Sequence, residues 1–268
     1  MKNKFSRVVV KVGSSSLTYD NGKLNLKLLD RLCRVIADLR NRGVEVVLVS
    51  SGAISVGVSK MGLPKRPSST SLRQAAAAVG QVELMFIYDK FFSEYGQNIA
   101  QVLLTGDVMM DPVWHRNVVN TFNTLFDHGC LPIVNENDTV STAELDLRSS
   151  DENDFSDNDA LSAIVADITR ADLLVIMSDI EGLYDSDPHK NPEAKLISRV
   201  EELSDEVMRL GGGAGSVHGT GGMKSKLLAA RRATEAGAAT LIVGSSRPEN
   251  LYDIFEGKKV GTLFCARH

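Results

Sequence analysis

Cysteine and tryptophan are scarce in this sequence of 268 residues, which has three of the first and one of the second. Cys33, Cys130 and Cys265 are far apart and odd in number, so they predict neither a disulfide framework nor a metal-binding pattern. Such usage is typical of a reducing compartment, and we expect a cytoplasmic location. No apolar run approaches the ~20 residues of a membrane-spanning helix, and residues 1–5 begin no signal core, so we expect no membrane partner.

A strong excess of charge is also missing. The formal net charge is −4, from 30 basic and 34 acidic residues. General nucleic-acid-binding proteins carry strongly basic surfaces, so we expect no nucleic-acid partner. The five histidines lack the spacing of a metal site, and we assign none of them a catalytic role. Apolar residues make up 43% of the chain, which is ordinary for a globular protein.

The two commonest phosphate-binding motifs are absent. No segment has the Gly-x-x-x-x-Gly-Lys-Ser/Thr pattern of a Walker loop, and no Gly-x-Gly-x-x-Gly follows the first predicted strand. Instead, residues 211–222 contain seven glycines, and Lys224 and Lys226 follow at the start of a predicted helix. Close backbone approach, free helix N–H groups and two ammonium groups together favour a polyphosphate site. The alternative is a flexible surface linker.

Short apolar runs alternate with longer segments of helical spacing along the chain. Strands are predicted at 8–12, 44–49, 99–104, 131–134, 173–177 and 240–243. Helices are predicted at 24–40, 71–95, 118–128, 161–169, 223–236 and 250–255. This alternation predicts an α/β fold with an open, mainly parallel sheet sandwiched between helices. One compact domain, with two lobes as an option, is the simplest organisation.

Polar segments follow four of the predicted strands directly. They are residues 13–16, 50–54, 135–139 and 178–182. In open α/β sheets, ligands bind beyond the carboxyl ends of the strands. Each segment taken alone is best interpreted as an ordinary turn. Four of them on one rim of the sheet predict a binding site there.

Charged residues at two places fit this rim. Lys11 lies inside an otherwise apolar strand, where a buried ammonium is unfavourable unless it has a partner, although an edge-strand lysine that reaches solvent is the alternative. Residues 144–154 are acidic and are interpreted as a solvated loop. Asp157 is a natural helix N-cap, which would place Asn158 and Asp159 at the helix entrance, where they can bind a small polar ligand.

The polar segments, taken together, resemble those of the amino acid kinase family. The resemblance covers residues 5–264 and is carried by six motifs in a fixed order. They are Lys11-Val12-Gly13-Ser14-Ser15, Ser51-Gly52-Ala53-Ile54, Asn135-Glu136-Asn137-Asp138, Asp157-Asn158-Asp159, Ser178-Asp179-Ile180-Glu181-Gly182-Leu183-Tyr184 and Gly219-Thr220-Gly221-Gly222-Met223. The resemblance implies one amino acid kinase domain over residues 1–268, with an amino-acid lobe in the N-terminal half and an ATP lobe in the C-terminal half. It also implies that the RNA-modification-type PUA domain of many members is missing.

The resemblance also implies roles for individual residues. Lys11 and Lys226 would flank the transferred phosphoryl group, and Asp159 would organise these lysines. Substrate binding would involve Ser51, Gly52, Ala53, Asp138 and Asn158. ATP binding would involve Lys11, Ser178, Asp179, Thr220, Gly221, Gly222, Met223, Lys224, Ser225 and Lys226. No residue is assigned to a metal.

Among the six motifs, Asn135-Glu136-Asn137-Asp138 and Gly219-Thr220-Gly221-Gly222-Met223 are the most specific. They point to members that phosphorylate the side-chain carboxylate of L-glutamate with ATP and Mg²⁺, giving L-glutamyl 5-phosphate for proline biosynthesis. The resemblance further implies inhibition by proline and a homo-oligomer, either a dimer or a tetramer. The alternatives are a kinase of N-acetylglutamate, aspartate or uridylate, and a non-catalytic nucleotide-binding regulator.

Overall fold

The computed structural model describes residues 5–19, 21–140, 158–188, 190–211 and 222–267. In this part of the chain, eight strands form one sheet. The strands are β1 (Arg7–Val12), β2 (Glu45–Ser50), β3 (Ile99–Leu104), β4 (Leu131–Glu136), β5 (Leu173–Ser178), β6 (Arg199–Val200), β7 (Ala239–Gly244) and β8 (Thr262–Phe264). The six predicted strands are therefore confirmed with small changes at their ends. Strands β6 and β8 were not predicted, because two or three residues are too short to show a period.

The sheet is open, and its strand order is β3-β4-β2-β1-β5-β7-β8-β6. Neighbours from β3 to β7 pair in parallel, whereas β8 pairs antiparallel with β7 and parallel with β6. From β1 the chain first builds the sheet towards β2, and later returns to place β5 on the opposite side. The strand order therefore reverses between β1 and β5, and the crevice at such a reversal is where doubly wound sheets bind ligands.

Helices cover both faces of the sheet. The described helices are α1 (Ser14–Leu17), α2 (Leu26–Asn41), α3 (Ala53–Lys60), α4 (Thr70–Glu94), α5 (Pro112–Asp127), α6 (Asn158–Thr169), α7 (Asp205–Leu210), α8 (Met223–Glu235) and α9 (Asn250–Phe255). Five predicted helices agree closely with α2, α4, α6, α8 and α9, but α5 begins six residues before its predicted start at residue 118. The N-cap of α5 explains this difference, because Asp111 accepts hydrogen bonds from the backbone N–H groups of Val113 and Trp114.

The side chains of β1 point alternately to the two faces of the sheet and so contribute to two separate layers of the hydrophobic core. Val9 packs in one layer with helices α6 and α8, while Val8, Val10 and Val12 pack in the other with α2 and α4. Successive side chains of a strand point to opposite faces, so apolar residues at neighbouring positions require helices on both sides. The predicted fold class, an open and mainly parallel sheet between helices, is confirmed.

Two of the polar segments form helices and not turns. Residues 14–17 make the single turn of α1, and α3 begins directly after Gly52, whose φ of 104° lies in the left-handed region that favours glycine. Helix α3 then packs closely on α4. A Cβ atom built on Gly57 would overlap the carbonyl oxygen of Ala76, and one built on Gly80 would overlap that of Ala53. These two glycines therefore set the separation of the helices.

No helix in the described ranges is long and apolar enough to cross a membrane. Lys11 lies in β1 between β2 and β5, at the centre of the sheet. The alternative of an edge-strand lysine is therefore wrong, and the side chain requires a partner inside the protein.

Candidate active site

A buried carboxylate between two lysines forms the centre of the candidate site. Lys11 is the next-to-last residue of β1, Asp159 is the second residue of α6, and Lys226 lies in the first turn and a half of α8. Lys11 Nζ is 2.6 Å from Asp159 Oδ1, and Lys226 Nζ is 3.3 Å from Asp159 Oδ2. Lys11, Asp159 and Lys226 are only 5%, 0% and 7% exposed. Three distant parts of the sequence thus meet at the reversal of strand order.

Asp159 is ionised in this environment. Burial alone would raise its pKa, but the charges of Lys11 and Lys226 and the hydrogen bonds from Lys11 and Ser225 hold the pKa below its ordinary value. The Ser225 hydroxyl lies 2.9 Å from Asp159 Oδ2. The three charged side chains carry two positive charges against one negative charge. That balance suits a site that receives an anionic phosphoryl group.

The first turn of α8 lies beside the Asp159 carboxylate. Gly222 is the N-cap, and its φ of −68° and ψ of 180° are extended. Met223, Lys224 and Ser225 follow in the first turn, whose N–H groups have no partner within the helix. Such a terminus, with two lysines beside it, favours polyphosphate. Predicted residues Thr220 and Gly221, with most of the glycine-rich run, lie outside the described ranges.

The carboxyl ends of β5 and β7 form the side of the site predicted to bind the nucleotide. The Ser178 hydroxyl donates to Asp179 Oδ1 at 3.0 Å, and the backbone N–H of Ser245 donates to the Ser178 carbonyl at 2.6 Å. Ser16 donates to Ser245 Oγ at 2.7 Å, and both side chains are buried. These contacts connect the ends of α1, β5 and β7 across the reversal point.

Ser51, Gly52 and Ala53 lie on the other side, at the end of β2. The backbone N–H of Ser51 donates to the Val12 carbonyl at 3.1 Å, which brings this turn beside the end of β1. Gly52 supplies the left-handed conformation, and Ala53 opens α3. The predicted substrate residues of this segment are therefore adjacent to the segment that follows Lys11.

Asn158 and Asp138 contribute one buried and one half-buried polar side chain. Burial raises the pKa of Asp138 to about 6, against the opposing effect of the exposed Arg66 guanidinium. Asn158 is buried, and its Oδ1 has no hydrogen-bond partner among the described residues. A half-buried carboxylate and a buried amide oxygen could both bind the α-ammonium group of an amino acid. The predicted N-cap Asp157 lies outside the described ranges.

The structure brings together the side chains of Lys11, Asp159, Ser225 and Lys226, all of which are predicted site residues. Ser16 and Asn135 lie in polar segments predicted on this rim but were given no individual role, and Ser245 was not predicted. Ser16 and Ser245 bond to each other, and the Asn135 side chain donates to Gln81 Oε1 at 2.9 Å. Ser245 had a usable signal, because it directly follows β7 as the other polar segments follow their strands. The contact between Asn135 and Gln81 had no such signal, because nothing in the sequence relates α4 to β4.

Mg²⁺ is compatible with these residues. In the described part of the chain, no group of three or more His, Cys, Asp or Glu side chains is arranged to hold a metal. Mg²⁺ is usually bound through substrate phosphates with one or two carboxylates, and not by a cage of protein ligands. Asp179, at the end of β5, offers such a carboxylate beside the predicted nucleotide position.

Solved structures of low sequence identity share this fold. A UMP kinase from Bacillus anthracis aligns with a TM-score of 0.65 at 16% identity, over 98% of this chain and 97% of its own. A T. acidophilum isopentenyl phosphate kinase, solved as a product complex, aligns with a TM-score of 0.60 at 16% identity, over 96% of this chain and 99% of its own. These similarities concern the fold alone.

Curated relatives are much more similar in sequence. A glutamate 5-kinase from Clostridium perfringens is 51% identical over 261 residues, which cover 97% of this chain and 96% of the relative. A glutamate 5-kinase from Enterococcus faecalis is 49% identical over 267 residues, which cover 98% of this chain and 97% of the relative. The model of the amino acid kinase family matches residues 6–245. With its geometry, its fold and these similarities in agreement, the chain belongs to the amino acid kinase family.

Proposed function

We propose that this protein transfers the γ-phosphoryl group of ATP to the side-chain carboxylate of L-glutamate. The observation that carries the proposal is the buried contact of Lys11 and Lys226 with Asp159 at the reversal of strand order. Relatives named glutamate 5-kinase, at about half identity over almost their whole length, support the choice of substrate. The product is L-glutamyl 5-phosphate, which belongs to proline biosynthesis.

The chemistry requires positive charge more than a base. A glutamate carboxylate is already ionised at neutral pH, so no residue has to remove a proton from it. One carboxylate oxygen forms a bond to the γ-phosphorus, the bond to the bridging oxygen breaks, and ADP leaves with the electron pair. Lys11 and Lys226 offset the negative charge shared by the attacking and leaving oxygens. Mg²⁺, when bound, would neutralise further phosphate charge.

Asp159 acts on the two lysines and not on the substrate. Its carboxylate fixes both ammonium groups through contacts of 2.6 and 3.3 Å. Because it is fully buried, its position depends little on solvent. Lysine side chains are long and flexible, so a shared anchor reduces the entropy lost when they meet the transition state. Asp159 is therefore a positioning residue.

Recognition of the amino acid is proposed for the N-terminal half of the chain. Asp138 would pair with the α-ammonium group of glutamate, and the free Oδ1 of Asn158 would accept a hydrogen bond from it. A carboxylate here favours a free ammonium group over an acetylated nitrogen, which argues against N-acetylglutamate. The C-terminal half, with β5, β7 and α8, would hold ATP.

Two further properties belong to this proposal. Proline has an α-carboxylate and a cationic ring nitrogen at neutral pH, so it would compete for the glutamate site as a feedback inhibitor. The protein would also form a homo-oligomer, because α4 carries an exposed apolar stripe. Its proposed location is the cytoplasm. The stripe consists of Ala75, Ala78, Val82 and Phe86, which follow one another at helical spacing.

Release of ADP tests the substrate directly. ATP and Mg²⁺ are supplied with L-glutamate, L-aspartate, N-acetyl-L-glutamate or UMP in parallel reactions. We expect turnover with L-glutamate at a kcat/KM at least tenfold above that of each other acceptor. Preferred turnover of another acceptor would identify a different kinase of the family. Nucleotide binding without any turnover would favour a non-catalytic regulator.

A further inference from the structure

The carboxylate of Glu181 lies directly over Gly244. A Cβ atom built on Gly244 would be 2.7 Å from Glu181 Cδ and 2.7 Å from Glu181 Oε2. Gly244 is the last residue of β7 and pairs with Ser178, the last residue of β5. The absence of a side chain at Gly244 therefore makes the space in which the carboxylate stands, above the carboxyl ends of β5 and β7.

This end of β7 is held firmly. The carbonyl of Gly244 accepts a hydrogen bond from Asn250 Nδ2 at 3.1 Å, and the Asn250 side chain is buried. The next residue, Ser245, donates its N–H to Ser178 and accepts from Ser16. The floor beneath the Glu181 carboxylate is thus fixed by three polar contacts. The carboxylate itself is exposed and has no ion-pair partner in the described part of the chain.

The position is unsuitable for contact with phosphate. Lys11 lies on β1, and β5 separates β1 from β7. Neighbouring strands are about 4.8 Å apart, so the Glu181 position is on the order of 10 Å from the phosphoryl-transfer centre. A carboxylate repels phosphate oxygens, which α8 and its lysines attract. It accepts hydrogen bonds readily from hydroxyl groups, as acidic residues do with ribose in other α/β nucleotide sites.

We propose that Glu181 is a nucleotide-specificity residue whose carboxylate accepts a hydrogen bond from the ribose 2′- or 3′-hydroxyl of ATP, and that Gly244 is required to leave room for it. The inference rests on the proposed function, since it takes ATP as the nucleotide. It assigns the ribose to the region over β5 and β7. The triphosphate would then extend from there towards α8 and Lys11.

Calorimetric titration with ATP, 2′-deoxy-ATP and 3′-deoxy-ATP tests the proposal without turnover. The wild type should bind at least one of the deoxynucleotides about tenfold more weakly than ATP, which is typical for loss of a hydrogen bond to a charged group. Glu181→Ala should bind ATP about tenfold more weakly and should no longer distinguish it from that deoxynucleotide. Glu193→Gln, a change at an exposed carboxylate in the same connection, should behave as the wild type.

Gly244→Ala provides a second test on the opposite side of the contact. Gly244 has no positive φ, so alanine fits the backbone, and the three atoms nearest to its Cβ would all belong to the end of the flexible Glu181 side chain. The variant should fold, displace the carboxylate and show the same loss of discrimination. In the Glu181→Ala background it should add less than a twofold change, because the carboxylate is already gone.

The outcomes separate this inference from the proposed function. If the wild type binds ATP but not distinctly from either deoxynucleotide, or if Glu181→Ala keeps the wild-type discrimination, the role of Glu181 is wrong. The same holds if the Glu181→Ala effect depends on Mg²⁺ concentration and not on the ribose. Failure of the wild type to bind ATP would instead overturn the proposed function.

Discussion

At the scale of single residues, the site depends on one carboxylate whose charge is fixed by its neighbours. The pKa of Asp159 is held below its ordinary value, despite burial, by Lys11 and Lys226. A depressed carboxyl pKa stabilises the folded state above the unfolded pKa of about 3.9, and this stability is lost as the pH falls through the lower folded value. Around neutral pH, Asp159 therefore remains an anion that keeps both lysines in place.

Lys226 and Lys224 provide a matched pair for testing charge in the transition state. Lys226 is buried against Asp159, whereas Lys224 is exposed on the same helix. Lys226→Ala should lower kcat by about 100-fold or more with a small change in KM for ATP, because its charge matters most as the phosphoryl group transfers. Lys224→Ala should mainly raise KM for ATP. Steady-state kinetics that gave Lys226→Ala a kcat within a few-fold of the wild type would contradict this role.

Asp138 should make glutamate binding depend on pH. Its pKa is raised to about 6 by burial, so without substrate the neutral form becomes populated as the pH falls towards 6. The α-ammonium group of glutamate pairs only with the ionised form, so KM for glutamate should fall as the pH rises from about 5 to 7. Asp138→Asn should have a higher KM, by the ~2–5 kcal/mol typical of a truncated charge pair, and a flat profile over this range.

Thermal stability is the control for that variant. If Asp138 only stabilises its turn, Asp138→Asn should melt at a lower temperature and keep the wild-type KM for glutamate. Measuring both quantities on one preparation distinguishes the two roles. Retention of the pH dependence in the variant would assign the titration to another group.

At the scale of elements, the close packing of α3 on α4 determines where the end of β2 lies. Gly57 and Gly80 each stand where a Cβ would overlap backbone of the other helix. Helix propensity alone predicts that Gly80→Ala stabilises α4 by about 1 kcal/mol. The overlap with the Ala53 carbonyl should reverse that sign, since overpacking against backbone typically costs about 1–3 kcal/mol or more.

Urea unfolding of Gly80→Ala measures this directly. We expect a lower midpoint than in the wild type and a higher KM for glutamate, because Ala53 follows the Ser51-Gly52 turn. Lys90→Gly, at an exposed position of the same helix outside the apolar stripe, is the control and should cost about 0.5–1 kcal/mol through propensity with no effect on KM. A midpoint for Gly80→Ala above that of the wild type would show that the helices can separate without penalty.

The elements also show what the sequence could and could not predict. Strand–helix alternation predicted the sheet and most helices, because buried parallel strands are short apolar runs that differ clearly from amphipathic helices. It missed α1 and α3, since both begin in small polar residues or glycine that read as turns, and it missed α7, whose six residues are too few to show a helical period. The reversed direction of β8 was missed as well, because pairing direction is set by tertiary packing and not by a three-residue segment.

The sequence also predicted some residues of the site but not all of the contacts between them. Lys11 was predictable because a charge inside an apolar strand requires a partner, and Asp159 was predictable as a polar residue at a helix entrance, after the candidate N-cap Asp157. The meeting of Asp159 with Lys226 was suggested by the family resemblance and not by residue spacing. The contact between Ser16 and Ser245 was not predicted, because it joins positions 229 residues apart. Roles for Thr220 and Gly221 stay predictions.

At the scale of the whole molecule, α4 presents apolar surface outward. Val82 is 70% exposed and Phe86 is 62% exposed, one turn apart on this helix. A helix that packs on its own sheet and also shows an apolar stripe outside is typical of an interface between copies related by a twofold axis. Phe86→Glu should therefore reduce the molar mass in solution, measured by light scattering during size-exclusion chromatography.

Asn120→Glu is the control for charge, because Asn120 is exposed on α5 away from the stripe. It should leave the molar mass unchanged. A monomeric wild type, or an oligomer that Phe86→Glu leaves intact, would show that this stripe is not the interface. Both variants should retain the fold, since neither residue is buried.

The central position of the first strand has a consequence for synthesis. Val8 pairs on one side with Val46 and on the other with Leu173. At a translation rate of ~5–20 residues/s, one edge of β1 stays unpaired for roughly 6–26 s after β2 has emerged from the ribosome. An open apolar strand edge is prone to pairing with other chains. A nascent chain of this protein thus exposes one edge of its central strand during synthesis, and Asp159 gains its second lysine partner only when Lys226 has been made.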